Sequence, residues 1–389
     1  MKDPPADRGE NAPPKPSEKG AGAEVRPRGR AIAVPSPIRF TRAICGDLGQ
    51  AERREWWIAN GLAGYAGGTI AGSLTRRYHG LLIAPVASPL GRRLILAKAD
   101  ATVVAGARSW PLFTNRWKSG AVSPAGHIRI GSFRLDYSTP VWVYEIGEHR
   151  IEARIWMEPG AHTVYAAWRL SPQAQPPEHA LSLRVTLLAN DRDHHGTTAV
   201  GGFAPEIAVE GERLLLTDKG GIALSIRAPG GSIVPKREWY RDFALALEAE
   251  RGLDSIDNHL CVGEVTLPLL PDRWCGIGAS LHGEPAGDLE AALGRRLDHD
   301  RRAVSTVIAS SPAMRDAPPW IARLALAADA FVFARPLASV PDGQSVIAGY
   351  PWFGDWGRDT MISLPGLTLA TGRPQVAHRI LATFASFVS

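Results

Sequence analysis

Residues 133–146 read FRLDYSTPVWVYEI, and the stretches around them repeat their character. RLILAKADATVV (93–104) precedes them, and HRIEARIWMEP (149–159), HTVYAAWRL (162–170) and HALSLRVTLLAN (179–190) follow. GGIALSIRA (220–228) and NHLCVGEVTLPL (258–269) continue the pattern. Each is rich in β-branched and aromatic residues, alternates in part with period two, and is punctuated by Gly, Pro and Ser. Many strands, few helices and hairpin-length gaps predict a large antiparallel β-sandwich over residues 37–287.

The grammar changes on both sides of this region. Residues 1–36 are rich in Pro, Gly, Ala and charge. Such composition buries too little surface to offset ordering entropy, so a disordered tail is expected. DLEAALGRRLDHDRRAVS (288–305) reads as a charged linker helix within residues 288–316. APPWIARLALAADAFVFA (317–334) starts with prolines and has helical apolar spacing, as a helix N-terminus should. QVAHRILATFASFVS, at the end, is amphipathic: Val376, Ile380, Leu381, Phe384 and Val388 share a face. The sequence stops within this pattern without a Gly or Pro to close it, and an incomplete chain is expected.

Bulk properties exclude several classes. Of 389 residues, 45% are hydrophobic and 21% charged, which is ordinary globular composition. The net charge is +5, and residues 1–36 carry +2 of it (seven Lys/Arg against five Asp/Glu). The near-balanced remainder argues against a nucleic-acid partner. Three cysteines without a CxxC supply neither a disulfide framework nor a zinc site, and they fit a reducing compartment. No apolar run approaches the roughly 18 residues of a membrane span, and the N-terminus lacks the apolar core of a secretory signal. A soluble, cytoplasmic protein with no membrane partner is expected.

Two motif clusters carry chemistry. The first is EWWIANGLAGYAGGTIAGSLTRRYHGLLIAP (55–85). Its glycines permit tight turns and close backbone approach. The Gly-Lys-Ser/Thr of a Walker loop and the GxGxxG of a dinucleotide site are both absent, so nucleotide binding is disfavoured. Arg76, Arg77, Tyr78 and His79 either meet a ligand or tie loops together, and the residues alone favour neither.

The second cluster is AGYPWFGDWGRDTMISLPGL (348–367), which sets Tyr350, Trp352, Phe353 and Trp356 beside Asp355, Arg358 and Asp359. Flat aromatics pack on the C–H faces of sugars, and carboxylates and guanidinium groups bind hydroxyls. The alternative is an aromatic helix N-terminus whose Asp residues cap backbone N–H groups. Asp355 and Asp359 are four apart, so on a helix their Cβ atoms would lie about 5–6 Å apart. A glycosidase acid/base pair must flank the scissile bond from opposite sides, whereas two groups on one helical turn face the same way. With Arg358 adjacent both carboxylates are expected to stay ionised, which suits substrate binding better than general acid catalysis.

The first cluster, followed by GRRLILAKAD (91–100), resembles the N-terminal domain of bacterial and archaeal glycogen debranching enzymes. That family shows a stretch like EWL-x-x-NGLGGYASGT-x-x-G-x-x-TRRYHGLL. IWMEPGAHTVYAAWRL (155–170), LLANDRDHH (187–195) and WYRDFALALEAERGLD (239–254) are similar to further family segments. AGYPWFGDWGRDTMISLPGLTLATGR (348–373) looks like the opening of the family's catalytic domain. Ala63 stands where the family usually has Gly, Gly67 where it has Ser, and GDWG replaces the commoner TDWG.

The resemblance implies an N-terminal β-sandwich followed by an (α/α)6 barrel, starting at residue 317, that hydrolyses α-1,6-linked glucose in glycogen or α-glucan limit dextrin. It implies an inverting mechanism with no cofactor and no metal. By analogy with related glucosidases, Arg358 and Asp359 would hold the terminal glucose, and Trp352, Asp355 and Trp356 would line the same pocket. A barrel of six helical hairpins needs about twelve helices, and residues 317–389 hold room for two or three. The general acid and base are therefore expected beyond Ser389, and this chain alone is expected to be inactive. A non-catalytic α-glucan-binding protein is the competing reading. A trehalase or disaccharide phosphorylase is a third, which the TRRYHGLL stretch argues against.

Overall fold

The stretch 133–146 folds as a tight hairpin. Strands Ile130–Asp136 and Thr139–Ile146 pair antiparallel, with Thr139 opposite Asp136. The two-residue connection places Tyr137 at φ +52°, as the twist of short hairpins requires. Along the second strand Trp142, Tyr144 and Ile146 are buried while Val143 and Glu145 are partly exposed, so the period-two pattern becomes one buried face. The computed structural model describes residues 35–87, 90–172 and 180–387. All but the last two residues of the expected disordered tail lie outside that range, as does Val388.

This hairpin belongs to a nine-stranded antiparallel sheet. Its order is Ile38–Thr41, Ile130–Asp136, Thr139–Ile146, His149–Met157, Thr163–Leu170, Cys275–Leu281, Ala223–Arg227, Arg213–Thr217 and Glu206–Glu210. A second antiparallel sheet runs Ser232–Ala244, Ile256–Pro268, Ser182–Asp193, Gly91–Ala105, Gly80–Ala87, Tyr65–Thr69 and Glu55–Ala59, with Arg108–Pro111 paired to Gly91–Ala105. The inner faces share one core. Trp56 of the second sheet meets Trp142 of the first edge-on at 5.6 Å, and the Trp142 indole donates to the Ile70 carbonyl at 2.9 Å. Fully burying such a side chain stabilises by roughly 1.5–3 kcal/mol, so the core is the main force holding the two layers. Cys45, Cys261 and Cys275 are buried free thiols.

Helix Leu289–Ala309 follows, capped by Asp288, whose carboxylate accepts from the Ala291 N–H at 2.9 Å. Buried Arg296 fastens the helix to the sheets. It donates to the Ala59 carbonyl at 2.9 Å and to the Ser138 hydroxyl, and it pairs with Asp300 at 2.9 Å. The helix expected over 317–334 is shorter, Trp320–Phe331, because Val332–Ala334 turns out as a strand paired with Gln344–Val346. Helix Gly357–Leu364 runs into a π-turn at Pro365–Leu369, and helix Pro374–Ala385 comes last. That last helix ends at Ala385, and its buried stripe is Ala377, Ile380 and Thr383. Leu381, assigned to the same face from sequence, is 48% exposed.

Candidate functional site

The TRRYH segment lies in the connection between strands Tyr65–Thr69 and Gly80–Ala87, and Glu55 opens the strand next to them. Three contacts within the first cluster fix it. The Thr75 N–H donates to His79 Nδ1 at 3.1 Å, so the imidazole proton sits on Nε2 and faces Glu55 Oε1 at 3.1 Å. Arg76 Nε donates to the same oxygen at 2.6 Å. Burial works to raise the Glu55 carboxyl, but the His79 hydrogen bond and the Arg76 guanidinium outweigh it, and the group sits below the usual carboxylate range. Behind this pair, buried Glu248 accepts the Arg77 N–H at 3.2 Å and faces the Arg77 and Arg251 guanidinium groups at 3.6 and 3.5 Å. Within the TRRYH segment, Tyr78 and His79 are buried while Arg76 and Arg77 are half-buried and paired with Glu55 and Glu248.

The second cluster supplies what Arg76 and Tyr78 face. Trp352 receives the Arg76 guanidinium at 5.5 Å from its ring centroid and that of Arg251 at 5.9 Å. The Tyr78 ring stands edge-on to it at 6.3 Å. Cation–aromatic contacts of this kind hold a ring in place, and Trp352 keeps 36% of its surface exposed. Tyr78 is held in turn by a hydrogen bond between its hydroxyl and His195 Nδ1 at 3.1 Å. Buried Arg92 donates to the Phe353 carbonyl, and its guanidinium lies 5.7 Å from the Tyr65 and Tyr350 ring centroids. The loop bearing Trp352 is therefore gripped by the sandwich from two directions.

The other predicted residues separate. Asp355 is not helical: it bridges to Ile347, and the helix begins at Gly357 with Trp356 extended before it. The four-residue spacing to Asp359 therefore does not place both carboxylates on one turn. Asp355 instead pairs with Arg335 at 2.8 Å and accepts from the Ser345 hydroxyl at 3.2 Å. Neither Asp355 nor Asp359 caps the helix through its side chain. Arg358, with its side chain 82% exposed, pairs among the described residues with Asp359, at 3.9 Å. Trp356 and Phe353 are exposed and meet edge-on at 6.4 Å. Glu55, Glu248 and Arg251 were not singled out from sequence, although Glu55 opens the first cluster and the other two lie in the quoted stretch 239–254.

Asp193, His194 and His195 offer donor atoms within 4.8 Å of one another. His194 Nδ1 donates to the Arg92 carbonyl, an acceptor only, at 3.1 Å. Burial and the neighbouring Arg92 guanidinium hold His194 down at about 3. Arg92 and Arg77 beside this group repel a cation, so the electrostatics favour a hydrogen-bonding role over metal ligation. No helix among the described residues is long and apolar enough to cross a membrane.

A family model described as glycogen debranching enzyme N terminal matches residues 54–275, and one described as amylo-alpha-1,6-glucosidase matches residues 326–389. The chain belongs to the glycogen debranching enzyme family. In this debranching-family chain, the contacts of Arg76, Tyr78 and Arg251 with Trp352 join the two matched regions. The search of curated proteins gave no match. Among solved structures, the chain is similar to a bacterial glucoamylase complexed with acarbose, at 11% identity and a TM-score of 0.42, over 90% of this chain and 53% of that one. It is also similar to a putative kojibiose phosphorylase from human microbiome, at 8% identity and a TM-score of 0.38, over 79% and 44%. The chain spans about half the length of these structures.

Proposed function

We propose that this chain carries the glucan-holding half of an α-1,6-glucosidase of glycogen debranching. In this reading residues 37–287 form the N-terminal β-sandwich domain, 288–316 the linker, and 317–389 the first helices of an (α/α)6 barrel. The observation that carries it is the partly exposed Trp352 ring, held by Arg76, Tyr78 and Arg251. Two guanidinium groups lie over the indole, and a glucose unit would pack a C–H face on the part of the ring left exposed while its hydroxyls accept from those cations.

Inverting hydrolysis needs a carboxylic acid and a carboxylate about 6.5–9.5 Å apart on opposite sides of the bond. Asp355 is committed to Arg335 and Ser345, and Asp359 sits exposed beside Arg358. Acid and base are therefore residues outside these two clusters, and this chain binds α-glucan limit dextrin without turnover. Arg358 and Asp359, on the first helical turn, reach the glucan from the rim. The test is titration of a branched maltooligosaccharide bearing one α-1,6-glucosyl stub. Binding is expected, with Trp352→Ala weakening it at least ten-fold and Asp359→Ala less. Release of free glucose by the chain would contradict the assignment of acid and base.

A further inference from the structure

We infer a second glucan-binding cleft on the sandwich, built on Trp117 and distinct in its residues from the Trp352 surface. This rests on the reading of the chain as an α-glucan-binding protein. A cleft of about 490 Å³ is lined by Trp117, Lys118, Ser119, Arg241 and Asp242. That volume lies within the range of small-ligand pockets.

The cleft is built by two segments clamped to each other. Trp117 bridges to Phe243, and the Lys118 N–H donates to the Asp242 carbonyl at 2.8 Å. The indole is fixed on two sides: its N–H donates to the Ser123 carbonyl at 2.6 Å, and its ring leans on Phe243 at 4.7 Å. An aromatic so tethered is a preorganised platform, because binding costs it no rotamer freedom. The opposite wall is a bulge in strand Ser232–Ala244, where the register to Ile256–Pro268 shifts between Tyr240 and Phe243. Asp242 within it takes φ +63°, with its N–H donating to Asn258 Oδ1 at 3.0 Å. A non-glycine residue in the left-handed region is strained, and bulges of this kind re-aim side chains beside functional sites.

The polar heads around the platform are uncommitted. The side chains of Lys118, Arg241 and Asp242 have no hydrogen-bond or ion-pair partner among the described residues. An aromatic face with two cations and one carboxylate at its rim offers donors and an acceptor to the hydroxyls of a neutral sugar. Strand Ser232–Ala244 continues into helix Ala246–Glu250, which carries Glu248 and leads to Arg251. The cleft and the Trp352 surface are thus connected along one element, and a long glucan chain engaging both gains avidity that a single stub does not.

The experiment is affinity electrophoresis of the full chain through glycogen-containing gel, with Trp117→Ala, Asp242→Gly and Trp352→Ala run beside it. Asp242→Gly removes the carboxylate while relieving the left-handed strain, so it keeps or raises the melting temperature. It thereby separates lost binding from lost folding. Both cleft variants are expected to weaken glycogen retention at least three-fold and to leave binding of the short branched stub unchanged. Retention unchanged in Trp117→Ala and Asp242→Gly, but lowered in Trp352→Ala, overturns the cleft and leaves the reading of the Trp352 surface standing. A chain not retained by glycogen overturns the cleft as well, and titration with the branched stub then decides the Trp352 surface separately.

Discussion

Gly67 and Trp57 face each other across paired strands, and Gly67 stands where the debranching-family pattern has Ser. A Cβ at Gly67 would come within 2.2 Å of the Trp57 ring, so a larger residue at 67 requires a smaller one at 57. Gly67→Ser is expected to destabilise by roughly 1–3 kcal/mol through overpacking. Trp57→Leu with Gly67→Ser should cost at least about 1 kcal/mol less than the two single changes summed, read from denaturant melts. Additive losses would show that the ring and the glycine are independent. Ala63 is a departure of a different kind. It holds φ +62°, a conformation glycine adopts freely, and its methyl packs with Phe333 and Ile347. Much of this scale was legible in the sequence as unusual residues, but their pairing was not. Arg76 and Glu55 are 21 residues apart, and Arg77 and Glu248 are 171 apart. No local pattern reports contacts of that range, which is why the TRRYH segment could be read equally as ligand-binding or structural.

At the scale of elements, the strands were readable from their β-branched and aromatic content and the Gly and Pro between them, since alternation survives in part in Thr139–Ile146 but not in Thr163–Leu170, which is buried almost throughout. The helical region was read less well. AFVFA continues an apolar run, yet Val332–Ala334 pairs with Gln344–Val346, so tertiary pairing overrides the local pattern there. Asp355 was placed on a helix for the same reason, since nothing local marks Trp356 as extended. Beside their apolar contacts, a shared acid ties these helices together. Asp329 of helix Trp320–Phe331 accepts from His299 at 2.8 Å and from Arg373 at 2.7 Å, joining helix Leu289–Ala309 to the residue before helix Pro374–Ala385. Burial tends to raise its carboxyl, but His299 and Arg373 hold it below the usual range. Asp329→Ala is expected to cost about 1–3 kcal/mol, less than the roughly 3–5 of a fully buried pair, because the side chain is 26% exposed. A loss smaller than about 0.5 kcal/mol in chemical denaturation would show that the helices are held by apolar packing alone.

The molecule as a whole should weaken in mild acid. Burial holds His194 down at about 3 and His259 at about 4, against an ordinary value of 6.5. Below about pH 6.5 the unfolded chain takes up protons that the fold refuses, so stability is full above that pH and declines as pH falls through 4 towards 3. Melting temperatures should therefore drop steadily from pH 7 to pH 4.5, and a flat profile would mean that these imidazoles are charged in the fold. The same scale shows how the parts cooperate. Arg296 and Arg323 carry the helices onto the sheets: Arg296 reaches the Ala59 carbonyl, and Arg323 the Ser36, Tyr137 and Leu135 carbonyls. With the sandwich so fixed, Arg76 and Arg251 meet a Trp352 that belongs to the other matched region. Sequence located both motif clusters but could not show that they touch.

The Trp352 surface is proposed to hold an α-glucan branch. Its most direct test is calorimetric titration of the chain with a maltooligosaccharide carrying a single α-1,6-glucosyl stub, comparing the unaltered protein with Trp352→Ala. Saturable binding that falls at least ten-fold in the variant, about 1.4 kcal/mol, is the expected result. Absence of binding, or equal affinity in both proteins, would contradict it.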